Sequence, residues 1–204
     1  MKKIKSLLSL FLIWNLIGVT QSCFNQCGSD GPWIFEPSSM EATAIKISGM
    51  ELFGSSNTPY FILDNSPIDQ EYLKFDSIGI NIISELTSVS QKTDGLLSYS
   101  YACSPTIFYK KIISISVISS EDYRPDLESG VELNEILSIR HGLSKAGTRL
   151  DLFAEKGGSL ENENLLITFN HPPTEAKSHN FTINVTMEDG KEFEMIVEGV
   201  LISN

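Results

Sequence analysis

Basic residues are scarce in this chain. It contains 15 Lys and Arg residues against 26 Asp and Glu residues, and three of the lysines are Lys2, Lys3 and Lys5. Without residues 1–22, which hold those three lysines and no acid, 12 basic residues remain against 26 acids, and the net charge changes from −11 to −14. A surface this acidic repels phosphate backbones, so we expect no nucleic-acid partner.

Histidine and cysteine are equally rare, with three of each. They do not supply the two closely spaced pairs of a structural zinc site, so we expect no metal and no cofactor. Sequence motifs for catalysis are lacking as well, which favours a protein that is not an enzyme. His171 and His179 flank Pro172-Pro173, and we interpret both as exposed loop residues.

No apolar segment is long enough to span a bilayer, which takes about 20 helical residues. The longest apolar run, residues 7–19, is interrupted by Trp14 and Asn15 and follows the basic amino terminus. Small and polar residues then lead to Cys23. This order predicts an export signal over residues 1–22.

Two kinds of processing at Cys23 remain open. Ser22 and Thr20 suit an ordinary signal peptidase, whereas Ser22 before a cysteine suits a lipoprotein signal peptidase. Thr20 departs from the leucine that lipoprotein signals usually have at that position. We favour lipidation of Cys23, which anchors the mature chain to a membrane. The alternative is a secreted protein in which Cys23 pairs with another thiol.

The remaining cysteines, Cys27 and Cys103, would lie in an oxidising compartment, where a disulfide between them is the simplest assignment. It would close a loop of about 75 residues and stabilise the fold by on the order of 4 kcal/mol. A buried free thiol at Cys103 is the alternative.

Phe24 is not the aspartate that retains lipoproteins at the inner membrane, and residues 24–30 are poor in acids. We therefore expect the outer membrane, with its periplasmic side slightly favoured over the cell surface.

The rest of the chain is patterned mainly for strands. Residues 23–40 are rich in Gly, Ser and Pro and predict a tether. From residue 41, apolar and polar residues alternate, which is typical of half-buried strands. The segments with this pattern are 42–53, 78–82, 98–103, 113–117, 149–153, 165–169, 181–187 and 193–202.

The strand pattern predicts the fold class. Roughly seven to nine short strands with turns between them favour an antiparallel β-sandwich, immunoglobulin-like in architecture. We expect one domain over residues 41–204, with a short helical turn near 131–138. Asp189-Gly190 predicts a hairpin turn, and Gly199 predicts a bulge.

Four residues are candidates for contact with a partner. Tyr99 and Tyr101 lie on one face of a predicted strand, and Tyr123 and Arg124 lie in a turn after another strand. Aromatic and polar groups on a loop are typical of binding sites. Packing in the core is the alternative for Tyr99 and Tyr101. For Tyr123 and Arg124 the alternative is a conformational role in a loop that Pro125 shapes.

Several short segments carry a resemblance to a known group of proteins. These are Tyr101–Pro105 (YACSP), Ile115–Asp122 (ISVISSED), Asp122-Tyr123, Gly130–Glu135 (GVELNE), Phe181–Ile183 (FTI) and Asp189–Phe193 (DGKEF). In them the chain resembles Bacteroidetes-type envelope lipoproteins that carry a domain of unknown function. The resemblance covers about residues 23–204. It implies an envelope lipoprotein with a β-rich domain, and it supplies no activity and no catalytic residues.

These observations favour a lipid-anchored, non-catalytic binding module whose partner is another envelope protein or a glycan. Two other classes remain open. One is a glycan-acting hydrolase whose acids come from separate loops, for which a deep pocket with two facing carboxylates would be the sign. The other is an adhesin or fimbria-related subunit, in which an edge strand pairs with a neighbour.

Overall fold

The computed structural model describes residues 33–53, 58–64, 68, 72–90, 107–141, 147–160 and 164–204. They belong to two units. The described residues of the smaller unit are 33–35, 88–90, 107 and 108, and the larger unit contains all the others.

Two β-sheets make up most of the described chain. The larger has seven strands in the order β2-β1-β4-β10-β7-β8, with β5 also paired to β1. Its strands are β1 (Trp33–Phe53), β2 (Thr58–Asp64), β4 (Ile78–Ser90), β5 (Ile107–Tyr109), β7 (Leu137–His141), β8 (Thr148–Arg149) and β10 (Asn164–Phe169).

The second sheet has five strands in the order β3-β12-β11-β6-β9. They are β3 (Leu73–Lys74), β6 (Lys111–Ser119), β9 (Gly158–Ser159), β11 (Lys177–Met187) and β12 (Glu192–Ser203). Apart from β3, which runs parallel to β12, each strand of this sheet is antiparallel to its neighbours. The all-β sandwich that the sequence predicts is thereby confirmed.

Alternation along the strands builds the core of the larger unit. β11 buries every second residue, and β6 and β12 on either side of it do the same over most of their length. These faces pack against the apolar face of the seven-stranded sheet in one cluster. Buried members of this cluster include Ile78, Ile80, Ile82, Ile115, Val117, Leu137, Ile139, Leu165, Ile167, Phe169, Phe181, Ile183, Val185, Met195 and Val197.

Both glycine predictions in the β11–β12 hairpin are confirmed. Gly190 has φ of 84°. The turn is closed by the backbone N–H of Met187, which donates to the carbonyl of Lys191 at 2.8 Å, and by that of Gly190, which donates to the carbonyl of Met187 at 2.9 Å. Further along, the register shifts between His179 and Phe181, opposite Gly199, whose φ is 67°. A left-handed glycine at this point is typical of a bulge.

The helical elements differ in part from the sequence prediction. A 3-10 turn at Asn134–Ile136 confirms the helical turn expected near 131–138. The strand expected at 149–153 is wrong, because only Thr148–Arg149 (β8) is extended and the helix α1 (Leu150–Glu155) follows. Leu150 and Phe153 are both buried, at the spacing of one helical turn. Tertiary burial of this pair therefore overrides a pattern that also suited a strand.

The predicted tether also overlaps a strand. β1 begins at Trp33, so residues 33–40, which the sequence assigned to the tether, form its first part. Two lysines tie this part to the β11–β12 hairpin. Lys110 pairs with Glu36 at 3.0 Å and with Asp189 at 2.5 Å, and Lys191 Nζ donates to the carbonyl of Pro37. These bonds fix a segment whose Gly, Ser and Pro content suggested a linker.

Candidate functional site

Among the described residues, a cleft in the larger unit is the candidate for a binding site. Its volume is about 250 Å³, close to the lower end of the range for small-molecule sites. We call it the His141 cleft. Its lining comes from β7, β8, β9 and α1 and comprises Ile139, Arg140, His141, Thr148, Phe153, Lys156, Gly157, Gly158 and Ser159.

Two glycines shape one wall of the cleft. Gly157, with φ of 69°, ends α1 in the left-handed conformation that helix ends commonly use. A Cβ on Gly158 would lie 2.2 Å from the Phe153 ring, far inside van der Waals contact. Glycine at 158 therefore lets the Phe153 ring lie directly against β9.

The imidazole of His141 is the unsatisfied group of the cleft. Its ring lies 5.6 Å from the ring of Phe153, tilted by 49°. Its Nδ1 is buried and has no hydrogen-bond partner within the described part of the chain. A buried polar atom without a partner costs about 1–3 kcal/mol, so the fold bears this cost at Nδ1.

The ionisable side chains of the lining, Arg140, His141 and Lys156, are all basic, in a chain that is otherwise acidic. The Arg140 guanidinium donates to Thr168 Oγ1 at 3.2–3.3 Å and lies 5.2 Å from the centre of the Phe61 ring. Burial lowers the pKa of Arg140 from its usual value. Lys156 is exposed and has no ion pair among the described residues.

A second polar group lies in the core, where the sequence had suggested an exposed histidine. His179 is fully buried, so the prediction that it lies in an exposed loop is wrong. Its Nδ1 lies 2.9 Å from Ser119 Oγ, and that oxygen accepts the backbone N–H of Glu121 at 3.1 Å. Either group can donate in the bond between Ser119 and His179, depending on the imidazole tautomer.

Aromatic rings enclose this histidine. Phe181 stacks on it at 5.6 Å and Tyr123 lies 5.5 Å away, while Nε2 has no hydrogen-bond partner in the described chain. The Ser119 hydroxyl is buried as well. A serine and histidine enclosed in this way do not favour nucleophilic catalysis, because a substrate has no access to either.

Burial of His179 predicts acid sensitivity. Burial lowers the pKa of His179 from its usual 6.5; Lys177 acts in the same direction, and Glu121 opposes it. The unfolded chain therefore binds a proton that the folded chain resists, so stability is complete above about pH 6.5 and decreases below it. We expect the free energy of unfolding to decrease by up to about 1.4 kcal/mol per pH unit from this residue.

Urea unfolding at a series of pH values between 7.5 and 5 tests this expectation, with the His179→Gln variant as the comparison. The wild type should lose stability more steeply than the variant as the pH falls below 6.5. Parallel pH profiles for the two proteins would show that His179 binds protons equally well in the folded and unfolded states.

The structure places two of the four predicted contact residues. Tyr123 is fully buried, its hydroxyl donates to the carbonyl of His171 at 2.9 Å, and its ring stacks on Phe169 at 5.8 Å. Its role is therefore in the core, which corrects the expectation of a surface contact. Arg124 is partly exposed and pairs with Asp126 at 2.7 Å, and a contact role for it stays a prediction.

The other predicted site residues lie outside the described residues. They are Tyr99, Tyr101, Cys23, Cys27 and Cys103. Lipidation of Cys23, the Cys27–Cys103 disulfide and the strand expected at 98–103 therefore stay predictions.

Sequence reasoning missed the His141 cleft because its lining comes from four separate elements with no common motif. His179 did carry a signal, since it shares the period-two positions of Phe181, Ile183 and Val185 on β11. Continuing that alternation by one step predicts an inward histidine.

The described residues contain no group of His, Cys, Asp and Glu side chains suited to hold a metal ion. None of the helices in the described ranges is long and apolar enough to cross a bilayer.

Comparison of the chain with protein-family models, with curated proteins and with solved structures finds no match.

Proposed function

We propose that this chain is a lipid-anchored protein of the cell envelope that binds a polar ligand without transforming it. The signal-like segment before Cys23 supports the location. The observation that carries the binding role is the His141 cleft, whose ionisable lining residues are all basic in a chain that is otherwise acidic. A rigid β-sandwich supports the binding role, because it holds the cleft in one geometry before a ligand binds.

The lining of the cleft fits a glycan or a polar side chain of another envelope protein. Lys156, Thr148 and Ser159 provide hydrogen-bonding groups, and the Phe153 ring provides an apolar surface. Sugars present hydroxyl groups around an apolar ring face, and small-molecule sites combine the same two kinds of contact. The lining contains no carboxylate, so the paired acids of a glycoside hydrolase are not found in this cleft.

The His141→Phe variant tests the binding role. It removes the ring nitrogens and keeps an aromatic ring next to Phe153, so the loss of one hydrogen bond should weaken binding by about tenfold. Peptidoglycan fragments, envelope oligosaccharides and detergent-extracted envelope proteins are the probes, with affinities measured by calorimetry or immobilised-protein binding.

His171→Phe is the matched control, because His171 is exposed and does not line the cleft. This variant should bind as the wild type does. Equal affinities of the wild type and the His141→Phe variant for every probe that binds would contradict the role of the cleft.

A further inference from the structure

The smaller unit carries an apolar surface at the start of β1. Its described residues are Trp33, Ile34, Phe35, Ser88, Val89, Ser90, Ile107 and Phe108, and none of them is charged. Four of these side chains are exposed although they are large and hydrophobic. They are Trp33 at 37%, Val89 at 40%, Ile107 at 49% and Phe108 at 51%, and we call them the apolar edge.

The strands that carry the apolar edge are neighbours in one sheet. β1 pairs with both β4 and β5. Thr87 Oγ1 donates to the carbonyl of Glu36, and Ser38 Oγ donates to the carbonyl of Glu85, so β1 and β4 run in opposite directions. The start of β1 therefore lies beside the end of β4, so Trp33 and Val89 come from neighbouring strand ends. β5, which carries Ile107 and Phe108, is also a neighbour of β1.

Ile196 in the larger unit is an exposed hydrophobic residue with a different setting. Ile196, at 57% exposure, projects from β12 between Glu194 and Glu198, which are also exposed. Single apolar side chains among charges are ordinary on protein surfaces, whereas an uncharged group of them marks an interaction site. The apolar edge is such an uncharged group, so we interpret it as an interaction site.

The position of the apolar edge in the chain identifies its partner. Trp33 is ten residues after Cys23, and ten residues span at most about 35 Å. A lipid on Cys23 would therefore keep the start of β1 close to the bilayer surface. Tryptophan and other aromatic residues concentrate at the boundary between the lipid headgroups and the hydrocarbon.

We infer that the apolar edge lies against the lipid bilayer. This inference rests on the proposed lipid anchor and adds a second, non-covalent contact to it. Apolar side chains at the headgroup boundary add to the binding free energy of the acyl chains.

Tryptophan fluorescence tests the contact directly. The chain has two tryptophans, and Trp14 lies in the predicted signal, so Trp33 is the only one in residues 23–204. The mature lipidated protein is inserted into phosphatidylcholine vesicles that contain or lack brominated phosphatidylcholine, which quenches tryptophan only on close approach. We expect clear quenching and a shift of the emission to shorter wavelength.

Variants connect the quenching to the apolar edge. The double variant Ile107→Ser with Phe108→Ser should lose most of the quenching, and Ile196→Ser on β12 should keep all of it. Circular dichroism checks that both variants keep the strand content of the wild type.

Vesicle flotation separates failure of the contact from failure of the anchor. Protein that floats with the vesicles while Trp33 stays unquenched would overturn the inference, leave the anchor intact and point to a protein partner for the apolar edge. Protein that does not float would overturn both.

Discussion

Replacing Phe181 by alanine is expected to lower the free energy of unfolding by about 3–5 kcal/mol. Phe181 is fully buried at the centre of β11, the strand that pairs with both β6 and β12. Its ring stacks on His179 and lies 5.5 Å from the ring of Phe169. The smaller side chain removes these contacts and leaves a cavity next to a histidine that already lacks one hydrogen-bond partner.

Urea unfolding followed by circular dichroism measures this change, and Phe108→Ala is the matched control. Phe108 is 51% exposed, so the same substitution there should change the free energy of unfolding by no more than about 0.5 kcal/mol. Equal effects at the two positions would mean that β11 does not lie in the centre of the core.

Replacing Cys23 by serine is expected to release the protein from the membrane fraction. Each buried methylene of an acyl chain contributes about 0.8 kcal/mol to membrane binding, and stable anchoring requires more than one chain or a second signal. An acidic domain with a net charge near −14 gains nothing from anionic lipids. The apolar edge alone would leave only a weak and reversible association.

Cell fractionation with immunoblotting measures the release, and Cys27→Ser is the control. Cys27 follows Cys23 by four residues and is not at the predicted cleavage site, so its variant should stay in the membrane fraction. Retention of the Cys23→Ser variant in membranes would contradict a lipid anchor at this residue.

The strands of the sandwich were the most predictable part of the fold. Val185 and Met187 on β11 alternate with polar residues because one face of an antiparallel strand packs on the core. The turn at Asp189-Gly190 was equally predictable, since this dipeptide adopts the backbone conformation that a tight hairpin requires. Local sequence was sufficient at these positions because local and tertiary preferences agree.

The local sequence pattern gave wrong predictions where tertiary contacts decide the secondary structure or the burial of a residue. Leu150 and Phe153 suit a strand or a helix, and their common burial selects α1. Tyr123 follows a strand in a turn with polar neighbours, which suggested exposure. It is nevertheless buried, because its ring stacks on Phe169 and its hydroxyl reaches the carbonyl of His171.

The candidate site could not be predicted from the sequence. His141 ends β7, whereas Phe153 and Lys156 come from α1 and the turn after it. The pairing of β7 with β8 and of β6 with β9 brings these segments together. The spacing of the residues along the chain therefore carries no signal for the cleft.

The proposed membrane location depends on a lipid at the amino terminus of the mature β-rich chain. Intact-mass analysis of the protein purified from membranes, with sequencing of its first peptide, tests this most directly. We predict a chain that begins at Cys23 and carries the added mass of acyl chains on that residue. A chain that still begins at Met1, or one whose Cys23 carries no lipid, would contradict the account.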